Sequence, residues 1–270
     1  MPPRWLTEAA IIARSSLSAE LLHAPVPGPL RVVLGDQPYM RYSPGVTLIH
    51  LQEDALPSAL FRRLRAGVRA VGGERLRSTY QTTFWFDFGP ATSVVEQAVV
   101  SLRSLLPQKR FAGVEWWLSR MKTNRIGVDF HQDRDEKLAL RGGVLRHPRF
   151  SSVLFLNRVR GGALAVTAQS PDPRNPCCAP APLDADLAAP RPNRLVWFDG
   201  ALTHGVLDAR NQLATGRPQR AGEMRLAVVM NWWGSRPTDV LRFPEARVYG
   251  GLLVRHQKRD RKYGRRARMG

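Results

Sequence analysis

Two histidines and one aspartate have the types and spacing of a metal site. His131 and Asp133 lie two positions apart in DFHQDRDE, at the end of a segment, 125–133, that reads as a strand. Side chains two positions apart on a strand project to the same face, so an imidazole and a carboxylate could coordinate the same ion. His204, in FDGALTHGV, follows a later predicted strand and would be the third ligand. Two histidines and one carboxylate hold Fe(II) and leave coordination positions open.

A cationic side chain further along the sequence is the candidate anchor for an anionic co-substrate. Arg225 stands at the head of the strand RLAVVMNWW, and a buried guanidinium can bind a carboxylate through two hydrogen bonds. Taken singly, each of these four residues has an ordinary role as a core histidine, a turn residue or a surface charge. Their order, with each one on or beside a predicted strand, favours a functional site.

The elements that must position these residues are short strands in the second half of the chain. Many short strands in succession, separated by turn residues, predict a β-sandwich or barrel of jelly-roll type. Between the fourth and fifth strands, segment 168–192 contains seven prolines, which predicts a loop without regular structure, either a lid or a floppy insertion. The predicted strands are 114–123, 125–133, 150–157, 162–168, 194–200, 203–209 and 224–233.

The first part of the chain predicts elements that support this core. Apolar residues at helical spacing predict an amphipathic helix over 54–71, ended by glycines, and a second helix over 91–107, ended by a proline. TYQTTFWFDF reads as a strand between them. We therefore expect three regions, namely an N-terminal supporting region (1–110), the core (111–240) and a basic C-terminal tail (241–270).

From about Glu115 to Trp233 the sequence resembles the Fe(II)/2-oxoglutarate-dependent dioxygenase superfamily, particularly its prolyl-hydroxylase-like branch. The resemblance implies a mainly β fold with flanking helices and a double-stranded β-helix core of jelly-roll or cupin-like type. It implies hydroxylase activity with Fe(II), 2-oxoglutarate and O2, and with ascorbate as an optional addition. The matching positions are His131-Gln132-Asp133, a strand ending in Gly161 and Gly162, His204, and Arg225. The resemblance makes His131, Asp133 and His204 the catalytic metal ligands and Arg225 the residue that binds 2-oxoglutarate.

The spacing before the anchor departs from the family pattern. His204 and Arg225 are 21 positions apart, about twice the usual distance, which predicts an inserted loop. Arg210, Arg217 and Arg220 in that loop are weaker candidates for the anchor. Arg225 is preferred because a strand fixes the direction of its side chain.

Two side chains typical of the co-substrate pocket are also missing. Ala227 replaces the hydroxyl residue often found two positions after the anchor, and no tyrosine precedes the metal motif. Lys122 lies near the place of that tyrosine and is either its replacement or an exposed strand residue. Asn231 and Arg120 would contact the substrate or co-substrate if their side chains point inward.

The aromatic residues of the predicted strands bear on the substrate class. Four tryptophans could line an apolar or peptide pocket, although alternate ones must face the core: Trp116, Trp117, Trp232 and Trp233. The strand after the anchor lacks the second arginine motif of the nucleic-acid dealkylating branch. We therefore expect hydroxylation of an amino-acid side chain, in a peptide, a protein or a small biosynthetic intermediate.

The charge of the chain favours a rival of another class. The formal net charge is +19, but all but five of the 41 basic residues are arginine, and eight lie in the stretch 255–268. The rival is a non-catalytic jelly-roll protein that contacts nucleic acid through this tail. The sequence contains no apolar run long enough to span a membrane, and its two cysteines, Cys177 and Cys178, are adjacent. These features predict a cytoplasmic protein with no membrane partner.

Overall fold

A computed structural model of the chain describes residues 47–73, 82–107, 110–124, 130–141, 145–168, 185–211, 222–246, 249 and 252–253. Both cysteines, most of the proline-rich segment and the basic stretch 255–268 lie outside these residues, and so do the predictions made for them. Within the described ranges, no helix is long and apolar enough to cross a membrane.

Nine strands form two antiparallel sheets in the described chain. In chain order they are β1 (Ile49–Gln52), β2 (Phe84–Phe86), β3 (Gly113–Lys122), β4 (Phe150–Phe155), β5 (Leu164–Val166), β6 (Asp186–Ala188), β7 (Leu195–Asp199), β8 (His204–Val206) and β9 (Met224–Trp233). The larger sheet has the order β1-β7-β4-β9-β3-β2, and the smaller has the order β6-β5-β8. The non-sequential strand order and antiparallel pairing confirm the predicted mainly β fold with a double-stranded β-helix core.

The larger sheet has two apolar faces, as its central strand β9 shows. Val228 and Met230 pack into a cluster with the helices, whereas Ala227 and Val229 pack with residues of the smaller sheet. We call these the outer and inner faces of the larger sheet. Side chains alternate along a strand, so the odd-numbered residues of β9 point into the space between the sheets and the even-numbered residues point away from it. Arg225 and Asn231 are odd-numbered, like Ala227 and Val229, and therefore lie on the inner face.

A long amphipathic helix covers the outer face. This helix, α1 (Ser58–Val71), begins after a proline and buries Phe61, Leu64 and Val68, which are three and four positions apart. It ends before Gly72, whose φ of 79° is a conformation that glycine adopts without a steric penalty. The prediction of a helix ending at these glycines agrees with this boundary.

A second helix, α2 (Val94–Leu102), packs beside α1 and is fixed at its start by a capping box. The Ser93 hydroxyl accepts a hydrogen bond from the backbone N–H of Glu96, and the Glu96 carboxylate accepts one from the backbone N–H of Ser93. A 3-10 turn, Arg103–Leu105, extends it. Two short helices complete the described elements, α3 (Glu136–Leu140) and α4 (Phe243–Ala246).

The proline-rich segment is not wholly irregular, contrary to the sequence prediction. Strand β6 forms at its end, where residues 183–189 contain no proline and each backbone N–H can join a ladder. Asp186 on this strand accepts a hydrogen bond from the backbone N–H of Leu48 at 2.8 Å. The segment therefore supplies an edge strand of the smaller sheet.

The division of the chain into three regions stays a prediction. The N-terminal and C-terminal regions both contribute residues to the sheets and the hydrophobic core. From region 1–110, β1 and β2 form the two edges of the larger sheet. From region 241–270, Phe243, Tyr249 and Leu252 are buried in the outer-face cluster.

Candidate metal centre

His131, Asp133 and His204 come together at one end of the space between the sheets. His204 begins β8. The strand predicted for 125–133 lies largely outside the described residues, and its described part, 130–133, contains one β-bridge rather than a continuous strand. In this antiparallel bridge His131 and His204 exchange backbone hydrogen bonds of 2.8 and 2.9 Å, which brings the two histidines together.

The three side chains have the donor set and spacing of a metal site. His131 Nε2 lies 3.8 Å from Asp133 Oδ1, and His204 Nε2 lies 3.5 Å from Asp133 Oδ2. One potential ligand atom from each residue lies within 4.8 Å of the other two. Ligands about 2 Å from a common ion and at right angles lie about 3 Å apart, so small side-chain movements would complete the site. Two imidazole nitrogens and a carboxylate oxygen suit a divalent iron ion.

Hydrogen bonds orient two of these ligands toward a common point. His204 Nδ1 lies 3.0 Å from the carbonyl oxygen of Leu202, which only accepts hydrogen bonds. Nδ1 therefore carries the proton, and the lone pair of Nε2 is free for a metal. The Ser151 hydroxyl donates to Asp133 Oδ2 at 2.6 Å, and the Asn231 side chain donates to the same carboxylate. Sequence reasoning had not identified Ser151.

The charge states of these groups are those that a metal requires. Burial lowers the pKa of His204 to about 4, so its imidazole is neutral at neutral pH. Burial alone would raise the pKa of Asp133. The two neighbouring imidazoles and the hydrogen bonds from Ser151 and Asn231 outweigh that effect and lower it. A neutral imidazole and an ionised carboxylate are the forms that coordinate metal ions.

The site is open on one side. The side chain of His131 is 44% exposed, whereas those of Asp133 and His204 are each 10% exposed. The ring of His204 packs 4.8 Å from that of Phe198, which closes the inner side. A substrate would therefore approach the metal from the side of His131.

Arg225 lies on the inner face of β9 and is only 1% exposed. Its guanidinium carbon is 4.9 Å from the centre of the Phe155 ring. Gly162 passes close to its stem, because a Cβ atom at Gly162 would lie 3.3 Å from Arg225 Cδ. Arginine is rarely buried to this extent, and a buried guanidinium can serve as an anchor for an anionic group. Ala227, the next inner-face residue, leaves the neighbouring wall apolar.

Most of the other described residues predicted to contact the co-substrate do not lie on the inner face with Arg225. Lys122 pairs with Met224, so its side chain is on the outer face of β3, where it is exposed. Arg120 is on the same outer face and approaches Gly73, after the end of α1. Asn231 is on the inner face, where it contacts the candidate metal ligand Asp133. Arg210 is exposed on a turn, whereas Arg217 and Arg220 lie outside the described residues.

The four tryptophans are divided between the two faces of the larger sheet. Trp116 and Trp232 lie on the outer face and are fully buried. Trp117 and Trp233 have inner-face parity, and Trp117 is only partly buried. Trp233 donates from Nε1 to the carboxylate of Glu115, at 3.1 Å. Glu115 is another inner-face residue that sequence reasoning did not identify as functional, although its position in the alternation of β3 could have indicated its direction.

The chain is similar in structure to several solved proteins. A prolyl-4-hydroxylase of Pseudomonas putida is 24% identical, with a TM-score of 0.43 over 71% of this chain and 87% of that one. HygX of Streptomyces hygroscopicus, solved with nickel and 2-oxoglutarate, is 15% identical, with a TM-score of 0.42 over 73% and 85%. SnoN, an alpha-ketoglutarate-dependent epimerase of nogalamycin biosynthesis, is 13% identical, with a TM-score of 0.39 over 72% and 82%. No family model matches the sequence, and comparison with curated proteins finds no relative.

Proposed function

We propose that this protein is an Fe(II)- and 2-oxoglutarate-dependent dioxygenase that hydroxylates an amino-acid side chain in a peptide, a protein or a small biosynthetic intermediate. The observation that carries the proposal is the convergence of His131, Asp133 and His204, with one potential ligand atom from each within 4.8 Å of the others. A facial set of two histidines and one carboxylate leaves the remaining positions of the ion open for a co-substrate and oxygen.

Bound Fe(II) with 2-oxoglutarate would supply the oxidising chemistry, with release of succinate and CO2. The protein residues hold and orient the reactants. His131 and His204 offer nitrogen donors, and Asp133 supplies a negative charge that offsets part of the charge of the ion. The hydrogen bonds from Ser151 and Asn231 keep the Asp133 carboxylate in one orientation.

Arg225 would bind the distal carboxylate of 2-oxoglutarate. Its guanidinium lies in an apolar part of the inner face, beside Phe155 and Ala227, where an attraction between opposite charges is weakly screened. A guanidinium can pair with a carboxylate through two parallel hydrogen bonds, which fixes the orientation of the co-substrate as well as its affinity. The strand holds Arg225 on the same face as Asn231.

An anaerobic titration of the full chain with Fe(II) and 2-oxoglutarate tests this proposal. We expect a weak visible charge-transfer band in the wild type, since 2-oxoglutarate chelated to Fe(II) absorbs in this range. His131→Ala and Asp133→Ala should lose the band because they remove metal ligands. Arg225→Ala should require roughly tenfold or more 2-oxoglutarate for the same band because it removes a charge-assisted contact.

Two variants control for indirect effects. Lys122→Ala removes an exposed cation from the opposite face of β3 and should leave the titration unchanged. Arg225→Lys retains a buried positive charge and should lie between the wild type and Arg225→Ala if the variants remain folded. A wild type that binds neither Fe(II) nor 2-oxoglutarate, by absorbance or by calorimetry, would refute the enzyme proposal.

A further inference from the structure

A buried carboxyl group lies beside the proposed metal centre and has no part in binding the metal. Glu115 is on the inner face of β3, directly opposite Asn231 on β9. Side chains at opposed positions of antiparallel strands have Cβ atoms about 5 Å apart. Because Asn231 contacts Asp133, the Glu115 carboxyl lies one side chain away from a metal ligand. Glu115 retains partial exposure, so it lines the space between the sheets rather than a sealed core.

In the part of the chain that the structure describes, no positive charge compensates Glu115. Burial raises its pKa to about 7, the nearby Asp133 and Asp135 raise it further, and hydrogen bonds from Thr83 and Trp233 oppose the rise. Among the described residues, no arginine or lysine forms an ion pair with Glu115. Arg146 lies against Trp233 but makes its ion pair with Asp135. An acidic group held in this way destabilises the fold, which is typical of residues kept for binding or catalysis.

A partly exposed aromatic ring lies next to Glu115 on the same face. Trp117 is two positions further along β3 and opposite Val229. It belongs to none of the hydrophobic clusters that the described residues form, whereas the neighbouring Trp116 is fully buried in one. The face of an indole ring attracts ammonium and guanidinium groups, and a carboxylate hydrogen-bonds to them. Glu115 and Trp117 thus present two features that recognise an organic cation.

We propose that Glu115 and Trp117 bind a positively charged group of the substrate, an alkylammonium or a guanidinium, and thereby hold a neighbouring carbon atom next to the metal. The proposal deepens the proposed function, on which it rests for the position of the metal. It specifies the substrate class as a molecule or peptide that carries an amine or a guanidine.

Pairs of matched probes test the charge preference directly. The full chain is titrated calorimetrically with N-acetylarginine amide and with its neutral near-isostere N-acetylcitrulline amide. N-acetyllysine amide and N-acetylnorleucine amide form the second pair. Each titration is run with and without Ni(II) and 2-oxoglutarate, so that binding is measured apart from turnover. We expect the wild type to bind at least one cationic probe about tenfold more tightly than its neutral partner.

Variants assign that preference to the two residues. Glu115→Gln keeps the size of the side chain and should abolish the preference, and Trp117→Leu should weaken binding of the cationic probe about fivefold or more. Lys122→Ala, on the opposite face, should behave as the wild type. Equal binding of charged and neutral probes, no saturable binding of any probe, or a preference that survives in Glu115→Gln would each overturn the proposal. A charge-transfer band in the same protein would show that the dioxygenase proposal stands independently of this result.

Discussion

At the scale of single residues, the proposed metal centre is supported by side chains outside the set of three candidate ligands. Ser151 and Ser152 are neighbours on β4 and face opposite ways. The Ser151 hydroxyl donates to the metal ligand Asp133, while the Ser152 hydroxyl donates to the Met230 carbonyl and accepts from Trp232 on the outer face. Substituting each serine in turn therefore distinguishes a change in metal affinity from a change in packing stability.

Removing the Ser151 hydroxyl should weaken metal binding without unfolding the protein. In Ser151→Ala, the Asp133 carboxylate loses a 2.6 Å hydrogen bond that holds it in place. Loss of such an orienting contact typically costs about 10-fold to 100-fold in metal affinity, so the Kd for Mn(II), measured calorimetrically, should rise by that factor.

Ser152→Ala is the matched control for this measurement. It should lower the unfolding free energy by about 1–2 kcal/mol because the buried Trp232 N–H loses its acceptor, and it should leave the Mn(II) affinity unchanged. Equal Mn(II) affinities in the two variants would show that Ser151 does not support the metal ligand.

At the scale of the elements, two consecutive glycines shape the turn between β4 and β5. Gly161 and Gly162 have φ values of 69° and 68°. A Cβ atom at Gly161 would lie 2.4 Å from the backbone of Ala209, after β8. The turn therefore holds the start of the smaller sheet against the segment that follows His204.

Gly161→Ala should destabilise the fold strongly. The new methyl group would collide with backbone atoms, which cannot move aside as a flexible side chain would, and the positive φ adds strain. We expect a loss of about 3 kcal/mol or more in the unfolding free energy, measured by urea denaturation.

Gly72→Ala provides the comparison at the end of α1. Gly72 also has a positive φ, 79°, but a Cβ atom there would meet nothing within 4 Å. Its replacement should cost only the backbone strain, about 1–2 kcal/mol. If Gly161→Ala were no more destabilising than Gly72→Ala, close approach to Ala209 would not be what requires glycine at position 161.

At the scale of the whole molecule, the sequence predicts the large elements better than the irregular segments. The helix ending at Val71 follows from apolar periodicity, which reports the face that it buries. The strand 224–233 follows from its β-branched and aromatic residues. The same periodicity could not foresee that β6 forms beside the prolines, because three residues carry too little pattern.

The metal centre shows the same division between local and long-range information. The candidate ligands His131, Asp133 and His204 were selected by residue type, spacing and order, and the structure brings one potential ligand atom of each within 4.8 Å of the others. The pairing that brings the two histidines together was not predicted, because the bridge between His131 and His204 joins residues far apart in the sequence. Glu115 was missed for a related reason: only the pairing of β3 with β9 shows that it lies near Asp133.

The stability of the whole molecule should depend on pH through Glu115. Its pKa rises from 4.5 to about 7 on folding, mainly because of burial, so the folded state binds more protons than the unfolded state between these values. The unfolding free energy therefore falls as pH increases from about 4.5 to 7, and the full penalty, up to about 3 kcal/mol, applies above pH 7.

Glu115→Gln tests this effect because glutamine cannot ionise. The variant should match the wild type in thermal stability at about pH 4.5 and exceed it at about pH 8. A difference in melting temperature that does not change with pH would mean that the Glu115 carboxyl keeps its ordinary pKa. It would then lie in water rather than in the space beside the metal centre, where a cation is needed to offset its charge.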